Sequence, residues 1–213
     1  MDFDPRTYST LDDLRAGRWY LPVSEEVAGR HREVAELLKE FNDLGTTDPE
    51  RGEELLRQIM PDSPHVPETF GPLFLEYGHV RFGEGCFLNT QTVLLDVADI
   101  TVGARTLVGP GCQFITVGHP VNDLEMRRGG WEQAHPITVG EDCWFGAGVI
   151  VLPGVTIGDR CILAAGTLVT RDVPDDSLVM GSPGRVVRQL NTGDERLERE
   201  DLPDGVPVEG LNV

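Results

Sequence analysis

Residues 139–169 read VGEDCW FGAGVI VLPGVT IGDRCI LAAGTL V, with an apolar residue at every sixth position. These anchors are Val139, Phe145, Val151, Ile157, Leu163 and Val169. A period of six fits neither the 3.6-residue turn of an α-helix nor the two-residue alternation of a simple strand. It is typical of a solenoid with short strands and tight corners. In such a fold we expect the anchors to point inward and a small residue beside each anchor to let the backbone turn.

The same period continues upstream of this stretch. The further anchors are Phe82, Leu88 and Leu94 and, after a slip of two residues, Val102, Val108 and Phe114. Stacked coils bury one continuous core, with neighbouring strands roughly 4.8 Å apart. The sequence therefore predicts an all-β solenoid, a parallel β-helix of hexapeptide repeats, over residues 65–190. A β-sandwich with coincidental spacing is the alternative, and the unbroken run of matches disfavours it.

The regions on either side of the repeats have a different character. Residues 1–64 are predicted to form an N-terminal helical segment. Apolar residues recur at intervals of three and four after Ser24, the expected N-cap of one helix. A second helix is expected to begin at Pro49 and to end before Pro61. Residues 191–213 are rich in Asp and Glu, which predicts a solvated, mobile tail.

Composition limits the possible partners and the cellular location. The 213 residues carry a formal net charge of −18, which argues against nucleic acid or an anionic membrane as a partner. The N-terminus has no signal-peptide pattern, and no apolar run reaches the roughly 20 residues that a membrane helix needs, so a cytoplasmic protein is expected. The cysteines show no metal-ligand spacing, which predicts buried free thiols and no metal site. They are Cys86, Cys112, Cys143 and Cys161.

The hexapeptide period fails over residues 118–136, which show neither helical nor strand periodicity. We interpret this segment as a loop that leaves the solenoid, and long loops of this kind are commonly functional. It carries His119 at its entry and Trp131 and Glu132 on its return. Aromatic and ionisable side chains on such a loop suit the cover of a ligand cleft.

Several motifs occur in a fixed order along the chain. They are Phe87-Leu88-Asn89, Val102 to Pro110, Gly118-His119-Pro120-Val121, Trp144-Phe145-Gly146-Ala147-Gly148, Leu152 to Gly158 and Val179 to Arg188, with Ala16 to Tyr20 ahead of them. Together they resemble the galactoside and maltose O-acetyltransferase family of hexapeptide-repeat acyltransferases, over nearly the whole chain except its acidic tail. The resemblance implies a left-handed helix and a homotrimer with active sites between subunits. It also implies acetyl transfer from acetyl-CoA to a hydroxyl of a sugar or related small molecule.

The resemblance also implies roles for individual residues. His119 matches the family's catalytic histidine, the expected general base for direct attack without an acyl-enzyme. An imidazole that is largely neutral at pH 7 suits that task. The residues expected to bind the hydroxyl acceptor are Asn89, Glu76, Asp96 and Glu132. Those expected to bind CoA or the oxyanion are Trp144, Gly146, Ala147, Thr170, Arg171, Arg185 and Arg188, where backbone N–H groups would face the oxyanion and guanidinium groups the phosphates.

The identity of the acceptor stays open. Leu21 follows Tyr20 where family members often have an acidic residue, and Val97 replaces the second acid of an Asp-Asp pair in the galactoside pattern. Serine, an amino sugar or an antibiotic is an alternative acceptor on the same fold. Two further classes are a γ-class carbonic anhydrase, which needs three histidines on zinc, and a non-catalytic β-helix scaffold. The histidine spacing disfavours the first class, and the combined set of site residues disfavours the second.

Overall fold

The computed structural model describes residues 9–44 and 46–190. Its helices are α1 (Leu11–Arg15), α2 (Glu25–Leu44), α3 (Pro49–Ile59) and α4 (Leu124–Arg128). Its strands are β1 (Glu68–Thr69), β2 (Leu73–Leu75), β3 (Val80–Phe82), β4 (Phe87–Leu88), β5 (Thr92–Leu95), β6 (Ile100–Val102), β7 (Leu107–Val108), β8 (Gln113–Ile115), β9 (Val117–Gly118), β10 (Gln133–Ala134), β11 (Ile137–Val139), β12 (Trp144–Phe145), β13 (Ile150–Val151), β14 (Thr156–Ile157), β15 (Ile162–Leu163), β16 (Leu168–Val169), β17 (Ser177–Gly181) and β18 (Gly184–Gln189).

The strands wind around three faces, each of which is a parallel sheet. The first face is β3-β6-β11-β14, the second is β1-β4-β7-β12-β15-β17, and the third is β2-β5-β8-β13-β16. Strand β18 closes the second face as an antiparallel partner of β17. The predicted parallel β-helix of hexapeptide repeats is confirmed.

The anchors of the repeat stack on one another from coil to coil. Val139 pairs with Val102 in the coil below and with Ile157 in the coil above. Phe145 and Val151 lie in equivalent columns of stacked anchors on the second and third faces. All twelve anchors are buried, as the period predicts, and they form one continuous core. Three repeats of six therefore make one turn of the solenoid.

The small residues beside the anchors have a different role from the predicted one. A Cβ atom on Gly103 would lie 2.5 Å from the carbonyl carbon of Gly140, in the backbone of the next coil. The left-handed backbone conformation occurs instead two residues further on, at Gly85, Arg105 and Asp142, where φ is +71°, +57° and +56°. The glycines are therefore needed for close approach between coils, and the turn is made by the residues that follow.

The N-terminal helices cover the open end of the first coil. Helices α2 and α3 confirm the two predicted helices, and the Ser24 hydroxyl accepts a hydrogen bond from the Val27 N–H at 3.2 Å. The apolar faces of both helices, including Val34 and Leu55, pack into the same core as the first strands. Helix α1, which has only five residues, shows no period in the sequence. The predicted acidic tail lies outside the described residues.

The interruption of the repeat has more regular structure than its sequence pattern suggests. Strands β9 and β10 pair antiparallel, with Val117 opposite Ala134 and Gly118 opposite Gln133. Helix α4 lies between them and is capped by Asp123, whose carboxylate accepts the Met126 N–H at 2.9 Å. These elements have two to five residues each, too few to show a period. The segment is therefore a stem with a helical tip, and we call residues 118–136 the excursion loop.

The cysteines and the helices can be compared with the expectations from composition. All four cysteines are buried and free, as predicted. Burial raises the pKa of Cys86 and Cys112, so these thiols stay protonated and unreactive at neutral pH. Within residues 9–44 and 46–190, no helix is both long and apolar enough to cross a membrane.

We expect Gly103→Ala to lower the free energy of unfolding by about 1–3 kcal/mol or more, because the added methyl group meets backbone rather than a flexible side chain. Gly29→Ala provides the matched control. Gly29 lies within α2 and has open space where a Cβ would stand, so alanine there should stabilise the helix by about 0.5–1 kcal/mol. Urea unfolding followed by circular dichroism measures both values. Equal effects of the two substitutions would contradict the close-approach role.

Candidate active site

His119 lies directly after β9, at the entry to the excursion loop. Its Nδ1 atom is 3.0 Å from the carbonyl oxygen of Trp131. Because a carbonyl oxygen can only accept a hydrogen bond, Nδ1 carries the proton and the lone pair is on Nε2. The Nε2 atom is 3.8 Å from Oε1 of Glu132, and about half of the imidazole is exposed. His119 therefore presents a basic nitrogen to solvent beside a carboxylate.

A cleft of about 480 Å³ opens beside His119, between the N-terminal segment and the excursion loop. Trp19 and His135 line it together with Met126 of α4 and Pro153 of the next coil. The indole of Trp19 is 38% exposed, so it offers an aromatic surface at the cleft. The size and the mixed apolar and polar lining suit a small molecule.

Acidic side chains and tyrosines cluster next to this cleft. The Tyr20 hydroxyl donates a hydrogen bond to Oε2 of Glu132 at 3.0 Å. The Asp96 carboxylate is fully buried and accepts the backbone N–H groups of Glu76, Tyr77 and His79 at 2.6–3.1 Å. Asp96, which we expected at the acceptor, is therefore enclosed in this chain. Its contacts hold the turn that carries Glu76.

Burial raises the pKa values of several of these groups. Desolvation, with the charges of Asp96 and Glu132, raises the pKa of Glu76 to about 7. Desolvation also raises the pKa of Asp96, although the backbone N–H groups of Glu76 and Tyr77 oppose that shift. Tyr20 has a pKa raised by desolvation and by the Glu132 carboxylate, so its hydroxyl stays a hydrogen-bond donor. The cluster is thus acidic and partly buried, and its Glu76 has a pKa close to neutral pH.

The predicted site residues lie on two different edges of the solenoid. We call the corner that follows the third face the third edge; it carries Glu76 and His119. The corner that follows the second face, the second edge, carries Asn89, Gly146 and Ala147. One chain therefore does not bring these two groups together.

The residues of the second edge make mostly backbone contacts. The side-chain oxygen of Asn89 accepts the Thr90 N–H at 2.8 Å. The Gly146 N–H donates to the Leu163 carbonyl at 2.8 Å, so it is occupied by the pairing between coils. Of the two N–H groups expected at an oxyanion, only that of Ala147 has no acceptor in the described part of the chain. Trp144 is 54% exposed on the outer side of the second face.

The predicted phosphate-binding residues gather at the last coil. Thr170, Arg171 and Arg185 line one small cleft of about 160 Å³, and Arg188 lies on neighbouring β18. None of these arginines forms an ion pair with a carboxylate of residues 9–44 or 46–190, whereas Arg105 and many others do. The last coil therefore offers guanidinium groups that are suited to binding an anion.

Comparison with known proteins connects this geometry to a family. Residues 14–63 match the maltose acetyltransferase hexapeptide capping motif, and residues 136–171 match the hexapeptide repeat of succinyl-transferase. The chain is 35% identical over 177 residues to the galactoside O-acetyltransferase of Lactococcus lactis, covering 82% of this chain and 85% of that protein. The chain belongs to the galactoside and maltose O-acetyltransferase family. It is an acyltransferase.

Solved structures agree with this assignment to the O-acetyltransferase family. A maltose O-acetyltransferase from Clostridium difficile superimposes with a TM-score of 0.81 at 29% identity, covering 85% of this chain and 97% of that one. A hexapeptide-repeat acetyltransferase from Vibrio cholerae, solved in complex with acetyl-coenzyme A, gives a TM-score of 0.77 at 33% identity. That alignment covers 85% of this chain and 98% of the Vibrio chain.

The sequence gives no role in this O-acetyltransferase to Trp19, which lines the cleft, or to Tyr20, which is buried behind it. Trp19 and Tyr20 stand in the N-terminal motif that resembles the family, but nothing in their spacing links them to the excursion loop. The bond from Tyr20 to Glu132 spans 112 positions. Only information that relates residues far apart in the sequence could have revealed this hydrogen bond.

We expect the free energy of unfolding to fall as the pH rises from about 4.5 to about 7, because folded Glu76 keeps a proton that the unfolded chain has lost. Glu76→Gln removes the part of this fall that is due to Glu76, so the variant should gain roughly 1–3 kcal/mol relative to the wild type across that window. Urea unfolding at about pH 5 and about pH 8 measures the difference. Glu84→Gln, at an exposed corner of the same coil, is the control. A constant difference between the Glu76 variant and the wild type would contradict the shift.

Proposed function

We propose that the protein transfers an acetyl group from acetyl-CoA to a hydroxyl of a sugar or related small molecule, with His119 as general base. One observation carries the proposal: His119 donates through Nδ1 to the Trp131 carbonyl, which leaves a basic Nε2 beside Glu132 and the cleft. The acceptor class is supported by the galactoside and maltose relatives. The donor is supported by the Vibrio structure, which contains acetyl-coenzyme A.

The reaction requires one proton to move twice. Nε2 of His119 takes the hydroxyl proton as the acceptor oxygen attacks the thioester carbonyl, and a tetrahedral oxyanion forms. The carbon–sulfur bond then breaks, and the imidazolium returns the proton to the leaving thiolate, so no acyl-enzyme is formed. Glu132, with Oε1 at 3.8 Å, stabilises the imidazolium between these steps. The Ala147 N–H is suited to the oxyanion.

Binding of CoA is assigned to the last coil and to the part of the third edge nearest to it. Thr170 and Arg171 follow β16, which lies two coils beyond β8 on the third face, and β8 is the strand of that face that precedes His119. Two coil steps correspond to roughly 10 Å along that edge, within the reach of a pantetheine arm. Arg185 shares the small cleft with Arg171, and Arg188 is exposed beside it, so these side chains can pair with the phosphates. Trp144 would form an apolar wall.

A homotrimer would unite the two edges that one chain keeps apart. Asn89 and Ala147 lie on the second edge, whereas His119 lies on the third edge. The outer side of the second face carries apolar residues in one register, among them Leu107 and Trp144, which are about half exposed. A surface of this kind favours burial against a second copy. We therefore assign the complete site to the interface between subunits, with Asn89 from one copy beside His119 from another.

The direct test follows free-thiol release from acetyl-CoA with maltose, glucose, a galactoside, glucosamine, serine or chloramphenicol as acceptor. We expect release that depends on a sugar and that falls about 10²–10⁴-fold in His119→Ala, since the base is lost. His65→Ala, in the linker before the first coil, is the matched histidine control. Release with serine or chloramphenicol alone would assign the alternative acceptor. Failure of acetyl-CoA to bind at any salt concentration would contradict the enzyme assignment and favour the scaffold.

Subunit mixing tests where the site is assembled. We expect His119→Ala and Asn89→Ala each to be nearly inactive alone. When equal amounts are unfolded and refolded together, activity should return to roughly one quarter of the wild-type rate, because each mixed trimer contains one intact interface. Refolding of each variant by itself is the control. No recovery from mixtures that refold into trimers would contradict a site shared between subunits.

A further inference from the structure

We propose that Tyr20 is a positioning residue that orients both His119 and Glu132, so that the N-terminal segment is part of the active site. The inference rests on the proposed role of His119 as general base. Among the described residues, Tyr20 forms no hydrogen bond with the imidazole itself. It acts through one peptide unit and one carboxylate of the excursion loop.

The peptide unit between Trp131 and Glu132 connects Tyr20 to the imidazole. Its carbonyl accepts the Nδ1–H of His119 at 3.0 Å, and its N–H donates to the Tyr20 carbonyl at 3.0 Å. A peptide unit is planar, so these two groups turn together. The Tyr20 N–H returns a bond to the Glu132 carbonyl at 2.9 Å, which makes an isolated antiparallel bridge. The bridge therefore fixes the carbonyl that sets the tautomer of His119.

The tyrosine side chain provides the second connection. Its hydroxyl donates to Oε2 of Glu132 at 3.0 Å, while Oε1 of the same carboxylate is 3.8 Å from Nε2 of His119. Since one oxygen is held by Tyr20, the other stays directed toward the imidazole. Burial raises the pKa of Tyr20, so the phenol remains a hydrogen-bond donor at neutral pH.

Tyr20 is itself held firmly in place. It is 1% exposed and packs in a small core with Leu14, Tyr77 and Ala134. Arg15 of α1 makes two hydrogen bonds to Asp99 at 2.7 and 2.9 Å, which attach the N-terminal segment to the solenoid. A residue so well packed can transmit its position to the groups that it contacts.

The test uses Tyr20→Phe, which keeps the ring and removes only the hydroxyl. We expect kcat to fall about 10-fold, because the carboxylate loses a charge-assisted hydrogen bond, while the KM values for acetyl-CoA and for the acceptor stay within about twofold. Arg18→Gln is the control, since it removes an exposed ion pair with Asp13 in the same segment and Arg18 has no bond to Glu132. An unchanged kcat in Tyr20→Phe, an effect on KM alone, or an equal loss of kcat in Arg18→Gln would overturn the proposal.

A double-mutant cycle with Glu132→Gln shows whether Tyr20 acts through the carboxylate. We expect Tyr20→Phe to cause less than about a twofold further loss of kcat in the Glu132→Gln background, since the interacting partner is already altered. Losses that multiply independently would overturn the proposal. The effect of His119→Ala separates this inference from the proposed function. If His119→Ala keeps the wild-type turnover, the general-base proposal fails. If His119 is essential but the effects of the Tyr20 and Glu132 substitutions are independent, only the role of Tyr20 is contradicted.

Discussion

Backbone hydrogen bonds between successive coils fix the register on which the rest of the molecule depends. The Gly103 N–H donates to the Val139 carbonyl, and the Gly140 N–H donates to the Ile157 carbonyl, each at 2.8 Å. A slip of one residue would turn every anchor outward, because side chains alternate along a strand. Glycine is required where coils touch, since a Cβ at Gly103 would overlap the next backbone. Burial of the apolar anchors and the backbone hydrogen bonds between coils therefore specify the same register.

This register also determines where the candidate site residues lie. Residues that follow the third face fall on one edge, so Glu76 and Asp96 stack below the entry of the excursion loop and Thr170 lies above it. The acidic groups thus lie at the proposed acceptor end, and the guanidinium groups of Arg171 and Arg185 lie at the last coil. The proposed binding of an anionic co-substrate by a chain of net charge −18 is compatible with this separation, because the local field at the last coil differs from the average.

The sequence predicts the solenoid because its period is local and repeated. The anchors and the main helices are read directly from the spacing of apolar residues. The reason for the glycines could not be read in this way, because it depends on a backbone that approaches from the next coil. The same holds for Asp96, whose burial depends on the turn at Glu76, and for Tyr20, whose partner is 112 positions away. A contact between two side chains far apart in the chain produces no local pattern, so it cannot be predicted from a single sequence.

The excursion loop leaves the solenoid at a corner, without interrupting any sheet. Gln113 still pairs with Ile150, and Ile100 still pairs with Ile137, on either side of the loop. Because both neighbouring coils keep their partners, the loop can change in length and composition at little cost to folding. The sequence of the loop can thus vary while the framework stays the same, provided that the bridge between Tyr20 and Glu132 is retained. The solenoid provides the rigid support, and the loop carries the proposed base His119 and its neighbouring carboxylate.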